Sequence, residues 1–486
     1  MVTTRFNSLN RPGTFLTETT GGFRTPELGS HNTVYMLGSS TSGDFASPTL
    51  VSSAKDFTNQ FGASPSLKHV ELYFENDSAG KMHFIRVQQS TVFSVELDTI
   101  NTGEDTITVN GTAVAITLAA SDTVSEAVDK YIVALNGSEI SDFATATAMG
   151  GNLIAIRVNA PGEVLLVTGS ADVTVTNITG ALPNAYDYVY SIQNTFDTLG
   201  IINFEQGYLI APEAFQNLSE ASDRLSVGVA MENLCANAEA DWVALVDCGA
   251  VHSTVAQVQA DGLQYTTAKG HLAYYAPYVV NLDDVQLPAS AGVAGIATKR
   301  NREQGFQEAP AGTRYRMAGV KDVSVKFGNQ AQDVLNPNGI NLVRYMFNTG
   351  VVVWGARTRS SDSFYTFLHT RVIMNVLNGT LRSAFDSDIF STIDGTGVLF
   401  ARIKETARSV CRRLWLGRAL YGATEADAFE VVCGEENNDS ADLDNGNVAL
   451  EVYVATSPTL EKLAVTTIRV GIGQVASSAA AANGLA

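Results

Sequence analysis

The side chains able to do chemistry in this chain are few, and most are badly spaced for it. Its six histidines form no HExxH pair or other ligand spacing, so no zinc centre or metal-assisted hydrolysis is expected. Four cysteines, Cys235, Cys248, Cys411 and Cys433, are widely separated with no CxxC pair. That usage fits buried free thiols made in a reducing cytoplasm. The acidic run from Glu435 to Asn447 begins like a calcium loop, with Asp442 and Asp444 two residues apart. Gly446 takes the next ligand position, however, and no glutamate falls at position twelve, so a solvated turn is expected. Gly471, Gly473 and Ala476 fit GxGxxA after a strand-like run, yet too few residues follow for a βαβ unit to hold a dinucleotide. No metal and no cofactor is expected.

One charge pattern stands out. Between Ala401 and Leu420 the basic residues are Arg402, Lys404, Arg408, Arg412, Arg413 and Arg418, against the single acid Glu405, in a chain of net charge −19. At 100° per residue, Leu399, Ile403, Ala407, Val410, Cys411 and Leu414 fall on one helix face, and Lys404, Arg408 and Arg412 lie together on another. The pattern predicts a helix with one packing side and a cationic stripe. A solvated face balanced by nearby acids and a binding surface both remain open at this point.

Bulk properties constrain what must position these residues. At 486 residues the chain should divide into three or more domains. Charged residues make up only 17% of it, below the usual quarter, as in a subunit that buries area against neighbours. The acidic balance argues against binding phosphate backbones, so nucleic acid is not an expected partner. The N-terminus lacks an apolar h-region, and no run approaches 18 apolar residues. Neither a secretory signal nor direct membrane insertion is expected, and a protein acting outside the cell would leave by lysis.

Along the chain, residues 1–20 read as an extended arm broken by Pro12 and Gly13. A strand from Thr33 leads through a Gly/Ser turn to a helix around Ser53 to Phe61 with Ser53 as N-cap, a second helix over ELYFEND and a buried strand, HFIRV. Residues 89–182 change character, rich in Thr, Val, Asn, Gly and Ala with period-two alternation. Asn110-Gly111 there is a hairpin signal, and a helix over SDTVSEAVDKYIVALN is expected to be capped by Ser121 or Asp122. From 183 to about 335 helices alternate with apolar strands, which predicts crossovers and a mostly parallel sheet. Residues 447–456 alternate as a strand, and a second alternating run, Ile468 to Ile472, lies close to the last residues.

Several blocks resemble one family in the right order: PTLVSSAKDFTNQFG, ELYFENDSAGKMHFIRV, PASAGVAGIATKRNREQGFQEAPAG, and from Leu335 the run LNPNGIN, GVVVWGARTRS and HTRVIMNVLNGTL. These are similar to contractile tail sheath proteins, over residues 11–88 and 183–470. The resemblance implies a multidomain α/β and α+β architecture: an arm (1–20), a subtilisin-like α/β domain without a triad (21–88 with 183–335), a β-rich inserted outer domain (89–182), an α+β C-terminal domain facing the tube (336–459) and a C-terminal arm and tail (460–486). It implies a structural subunit, not an enzyme, that polymerises as hexameric rings in a helical sheath. Its implied partners are the tail tube protein, baseplate and tail terminator proteins. Its implied place is a virion tail or an extracellular injection particle, assembled in the host cytoplasm.

The subtilisin-like fold invites a test for catalysis. Nucleophilic chemistry needs a serine at a strained turn, a histidine within reach and an orienting acid. Asp247 in VALVDCG stands at a strand end, but no HGT-like or GTSMA-like motif accompanies it, and His252 and His271 lack glycine-rich contexts. Asp247 therefore reads as a strand-end turn former, and no catalytic residue is expected. The resemblance instead makes Arg402, Lys404, Arg408, Arg412 and Arg413 tube-binding residues. It makes Thr14, Phe15, Leu16, Val465, Ile468, Val470 and Ile472 parts of arms that add strands to neighbouring C-terminal domains. Arg357 and Arg359 are open between an intersubunit ion pair and the tube-facing surface. A surface-layer or adhesin-type protein is the alternative, supported by the Thr/Val/Asn-rich insert but lacking the secretion signal it would need.

Overall fold

The computed structural model describes residues 27–469, apart from 101, 181 and 394. Contacts divide it into two units, Ser30–Asn375 with the segment from Thr456, and Val376–Ala455.

The larger unit is built on an eight-stranded sheet. Six strands run parallel in the spatial order 81–86, 33–38, 207–210, 243–247, 272–276 and 340–346. An antiparallel strand closes each edge, Thr49–Val51 and Gly350–Val353. Strands Thr33–Gly38, Gly207–Ile210, Val243–Asp247 and Leu272–Ala276 are buried at every position. A parallel sheet covered on both faces requires this, which is why these segments read as continuous apolar runs.

Successive side chains alternate between two cores. Val34, Met36, Phe84, Ile210, Leu245 and Tyr275 pack on one face against helices Ala54–Phe61, Leu67–Asn76 and Ser290–Gln304. Tyr35, Leu37, Leu209, Val246 and Tyr274 pack on the other against Ala185–Leu199, Ala221–Cys235 and Val255–Gly262. There Tyr35 stacks on Trp242 with ring centroids 4.1 Å apart. Strands 340–346 and 350–353 form a hairpin that joins this sheet, with Tyr274 beside Ile340 and Val343 beside Val353. The GINLVRYM and GVVVWG runs therefore extend the central sheet rather than opening the C-terminal part.

Ser53 caps its helix as the sequence predicts, accepting from Asp56 N at 3.1 Å. In the insert the cap is Thr123, not Ser121 or Asp122. Thr123 Oγ1 accepts from Glu126 N while Glu126 Oε2 accepts from Thr123 N at 2.8 Å, satisfying two orphan groups reciprocally. Asp122 instead accepts from Ala119 N and Lys130 Nζ.

The insert holds two antiparallel sheets, 173–177/92–97/153–158/144–150 and 112–118/103–109/167–169, around its own core with Tyr131, Ile107 and Ile156. Asn110 (φ 47°) and Gly111 (φ 88°) form the primed turn that their sequence signals. The two connections of the insert run side by side, because Ile178 N donates to Val92 O and Gln89 Nε2 to Gly180 O.

The smaller unit contains helix Val398–Leu416 and a two-stranded antiparallel ribbon, Phe429–Val432 with Glu451–Val454. Helix Leu368–Phe385 begins in the larger unit and ends in this one.

Candidate functional site

Three places collect the residues that the sequence singles out. The first is helix Val398–Leu416. Its packing face is as the 100° periodicity predicts: Leu399, Ala407, Val410, Cys411 and Leu414 are buried, while Ile403 is half-buried. The opposite face carries the basic residues, but it is not a bare cationic stripe. Arg402 pairs with Asp388 at 2.7 Å, Lys404 with Glu436 at 3.7 Å and Arg408 with Glu405 at 3.1 Å. Arg412 grips Glu425 with two nitrogens, holding that carboxyl below its usual range. Arg413 is half-exposed on the same helix. Three of the four acids come from residues 388, 425 and 436, outside the basic run, so a charge count over 401–420 could not see them. Arg402 also donates to Ser391 Oγ at 3.2 Å, which ties it to both ends of a loop that exposes Ile389 and Phe390.

The second place is the ribbon. Ala455 N donates to Ala428 O. The alternation of an antiparallel ladder then gives inward bonds to Tyr453 and Glu451 and turns the backbone of Val452 and Val454 toward the outer edge. The strand expected over 447–456 is confined to 451–454. Val465 and Ile468 are not in a strand in the single chain and are 75% and 78% exposed. A strand lasts only where a neighbour supplies the ladder, and within this chain the described residues supply none here. Thr14, Phe15, Leu16, Val470 and Ile472 lie outside the described residues.

The third place is the set of strand ends in the larger unit. Asp247 is buried, and its Oδ1 accepts from Ser290 N at 2.8 Å. The aspartate is thus a cap for helix Ser290–Gln304 rather than a turn former. Burial pushes its carboxyl up to about 7, against the opposing hydrogen bonds from Ser290 and Ala289. The two histidines considered for a triad are engaged elsewhere. His252 Nδ1 accepts from Gly249 N at 3.1 Å and faces Asp261, while His271 Nδ1 meets Trp242 O at 2.8 Å.

Sequence reading missed Glu213. In a doubly wound sheet the ligand crevice opens where neighbouring strands send their crossovers to opposite sides, here between 33–38 and 207–210. Glu213 is buried beside that point and accepts from Ser39 N at 2.9 Å and from the hydroxyls of Ser39 and Ser66. Burial raises its carboxyl above the usual range. Glu213 is thus tied to the serines at the ends of these strands.

The arginine pair of the ARTRS run also divides. Arg359 Nε donates to Tyr265 O at 3.1 Å, and Arg357 makes a two-pronged contact with Glu461. Both contacts lie inside the larger unit. Among the described residues no group of His, Cys, Asp and Glu is placed to hold a metal, and no helix is long and apolar enough to cross a membrane.

Comparison with known proteins bears on what such surfaces serve. The fold is shared with solved cryo-EM structures of contractile assemblies. The anti-feeding prophage (AFP) baseplate is 18% identical, with a TM-score of 0.59 over 95% of this chain and 99% of that one. The AFP helical sheath in its contracted state is 18% identical, with a TM-score of 0.59 over 94% and 99%. The contracted sheath complex of PVC, an extracellular contractile injection system, is 15% identical, with a TM-score of 0.58 over 96% and 98%. No curated protein matches the sequence. Residues 208–359, which run from the third parallel strand through the edge hairpin to the arginine pair, match the family model of the phage tail sheath protein central domain. Over that central domain, residues 208–359, the chain is similar to the phage tail sheath proteins.

Proposed function

We propose that this structural sheath subunit polymerises as stacked hexameric rings around an inner tube, and that contraction of the stack drives the tube through a target envelope. The observation that carries the reading is the coincidence of the family match, residues 208–359, with the covered parallel sheet and its edge hairpin. The likeness to sheaths in a contracted state agrees with it. On this reading the central sheet is the subtilisin-like domain, with Glu213 bonded to serines at its strand ends. The insert is the outer module, and the smaller unit faces the tube. The partners are further copies of the chain, the tube protein, and baseplate and terminator proteins, in a virion tail or an extracellular particle assembled in the host cytoplasm.

The basic helix suits a contact that is made and later released. Exposed pairs such as Arg408–Glu405 are worth about 0 to 1 kcal/mol each, so exchanging their carboxylate partners for acids on a tube costs little. The exposed edge at Val452 and Val454 offers a ladder to an arm from a neighbouring copy, as in strand addition. The apolar, exposed run from Val465 suits such a donated strand. Assembly on the tube traps an extended lattice, and each ring gains contacts when it rotates into the compact one, so no nucleotide is consumed.

Co-expression with its tube protein, followed by negative-stain microscopy, tests the reading. Helical sheaths on tubes, and contracted sheaths formed without ATP, are expected. Protein that stays dispersed beside well-formed tubes would overturn it.

A further inference from the structure

The chain leaves the larger unit at Asn375, builds the smaller one, and returns at Thr456. What holds the returning segment is unusually definite for a stretch without secondary structure. His369 Nε2 meets Ser457 O at 3.0 Å. Four residues later, Arg357 Nε donates to Glu461 Oε1 at 2.8 Å, and its Nη2 to the other carboxylate oxygen. Asn336 Nδ2 adds a third bond to Glu461 at 2.9 Å.

The pair is partly sheltered, with side chains 18% and 24% exposed. Its planar fork matches the carboxylate in a way that a lysine could not. The Arg357 guanidinium also lies 5.6 Å from the centre of the Phe367 ring. Glu461 is also in the lining of a groove of about 420 Å³, together with Pro337, Trp354, Phe367, Thr459 and Lys462. On both sides of Glu461 the apolar side chains are open, with Leu460, Leu463, Val465 and Ile468 75–78% exposed, so hydrogen bonds and the ion pair rather than apolar burial hold this stretch.

We propose that Arg357 is a positioning residue for strand exchange: by gripping Glu461 it fixes the point from which the C-terminal arm leaves the central unit, so that only residues beyond 461 swing toward a neighbouring copy. The inference rests on the strand-exchange reading for its purpose but not for its geometry. An arm anchored at its root searches a smaller volume, so less conformational entropy is lost when its strand is captured. A fixed root also lets the same arm stay attached while subunits rotate about one another.

The anchor is testable in the single chain. All four cysteines are buried, so a K462C variant presents one accessible thiol for a nitroxide label. The wild-type background should give a slow-motion electron paramagnetic resonance spectrum, and E461Q and R357E should each sharpen it to a mobile one. The swapped pair R357E/E461R should restore the slow spectrum, which a merely unfolded protein could not do. Identical spectra in wild type and E461Q would overturn the anchor. Assembly on tubes tests the purpose: R357E should lose most sheath and the swap should regain it. A mobile label with undiminished sheath would overturn the positioning role. If wild type formed no sheath, the sheath reading would fail while the spectra still decided the anchor.

Discussion

Asp247 and Ser290 lie 43 residues apart in the chain and are joined by a 2.8 Å hydrogen bond from the Ser290 backbone N to Asp247 Oδ1, deep in the larger unit. The bond ties the end of a central strand to the start of the helix that covers it. The carboxyl is held at about 7 in the folded protein, against an ordinary 3.8. The folded form therefore keeps a proton that the unfolded chain releases. The stability contributed by that proton is full below about pH 4 and is lost as pH rises through about 7. Asn in its place keeps the cap and removes the titration. Between about pH 4 and about pH 8, the unfolding free energy of D247N should gain roughly 2–4 kcal/mol relative to wild type. Urea unfolding followed by far-UV circular dichroism measures it. Parallel pH profiles would contradict the assignment.

Charge reversal separates the two roles open to the basic helix. In K404E/R408E the pairs with Glu436 and Glu405 are lost, yet both are exposed, so the fold should change by less than about 1 kcal/mol. Assembly on tubes should fall sharply and become more sensitive to salt. Co-sedimentation with purified tubes reads the effect, and full assembly by the variant would leave the helix with a solvated face and nothing more.

The insert should be separable. It has its own core, and its two connections run together at Val92 and Ile178. Replacing residues 92–178 with a short Gly/Ser linker should leave the central unit folded, with a melting temperature within a few degrees of the parent. Asp187 Oδ1, which accepts from Ser90 N at 3.0 Å, stays on the retained side. Aggregation of the shortened chain would show that the insert is structurally required.

Gly207 sits where parallel strands 33–38 and 207–210 meet, and a Cβ there would lie 1.9 Å from Thr33 O. The obstacle is backbone in a paired strand, so it cannot rotate away. Gly207→Ala should cost roughly 3 kcal/mol or more and reduce soluble yield, whereas Gly111→Asn in the insert turn, which has open space around it, should be tolerated. Thermal unfolding of both variants gives the comparison.

Removing residues 1–20 or 460–486 should abolish polymerisation while leaving a folded monomer. Circular dichroism checks the monomer, and sedimentation velocity under assembly conditions checks the polymer. Normal polymerisation of either shortened chain would end the strand-exchange reading.

Much of this architecture was legible in the sequence because it depends on local periodicity. The apolar runs TVYMLG and VALVD announce strands buried on both faces. Ser53 and Asn110-Gly111 announce a cap and a turn, because capping and left-handed backbone are properties of a few adjacent residues. The buried face of helix Val398–Leu416 followed from spacing alone. The ordered blocks, GVVVWGARTRS among them, were enough to suggest the family.

What the sequence could not determine were the contacts between residues distant along the chain. It counted a cationic stripe, but folding brings Asp388, Glu425 and Glu436 onto that helix and pairs it. It read Asp247 as a turn former, because Ser290 is remote in sequence and adjacent only in the sheet-helix layer. It gave no sign of Glu213 in the crevice, nor of Arg357 closing on Glu461 across 104 positions. Periodicity fixes which face of an element is buried; only the tertiary arrangement decides which charge waits on the other side.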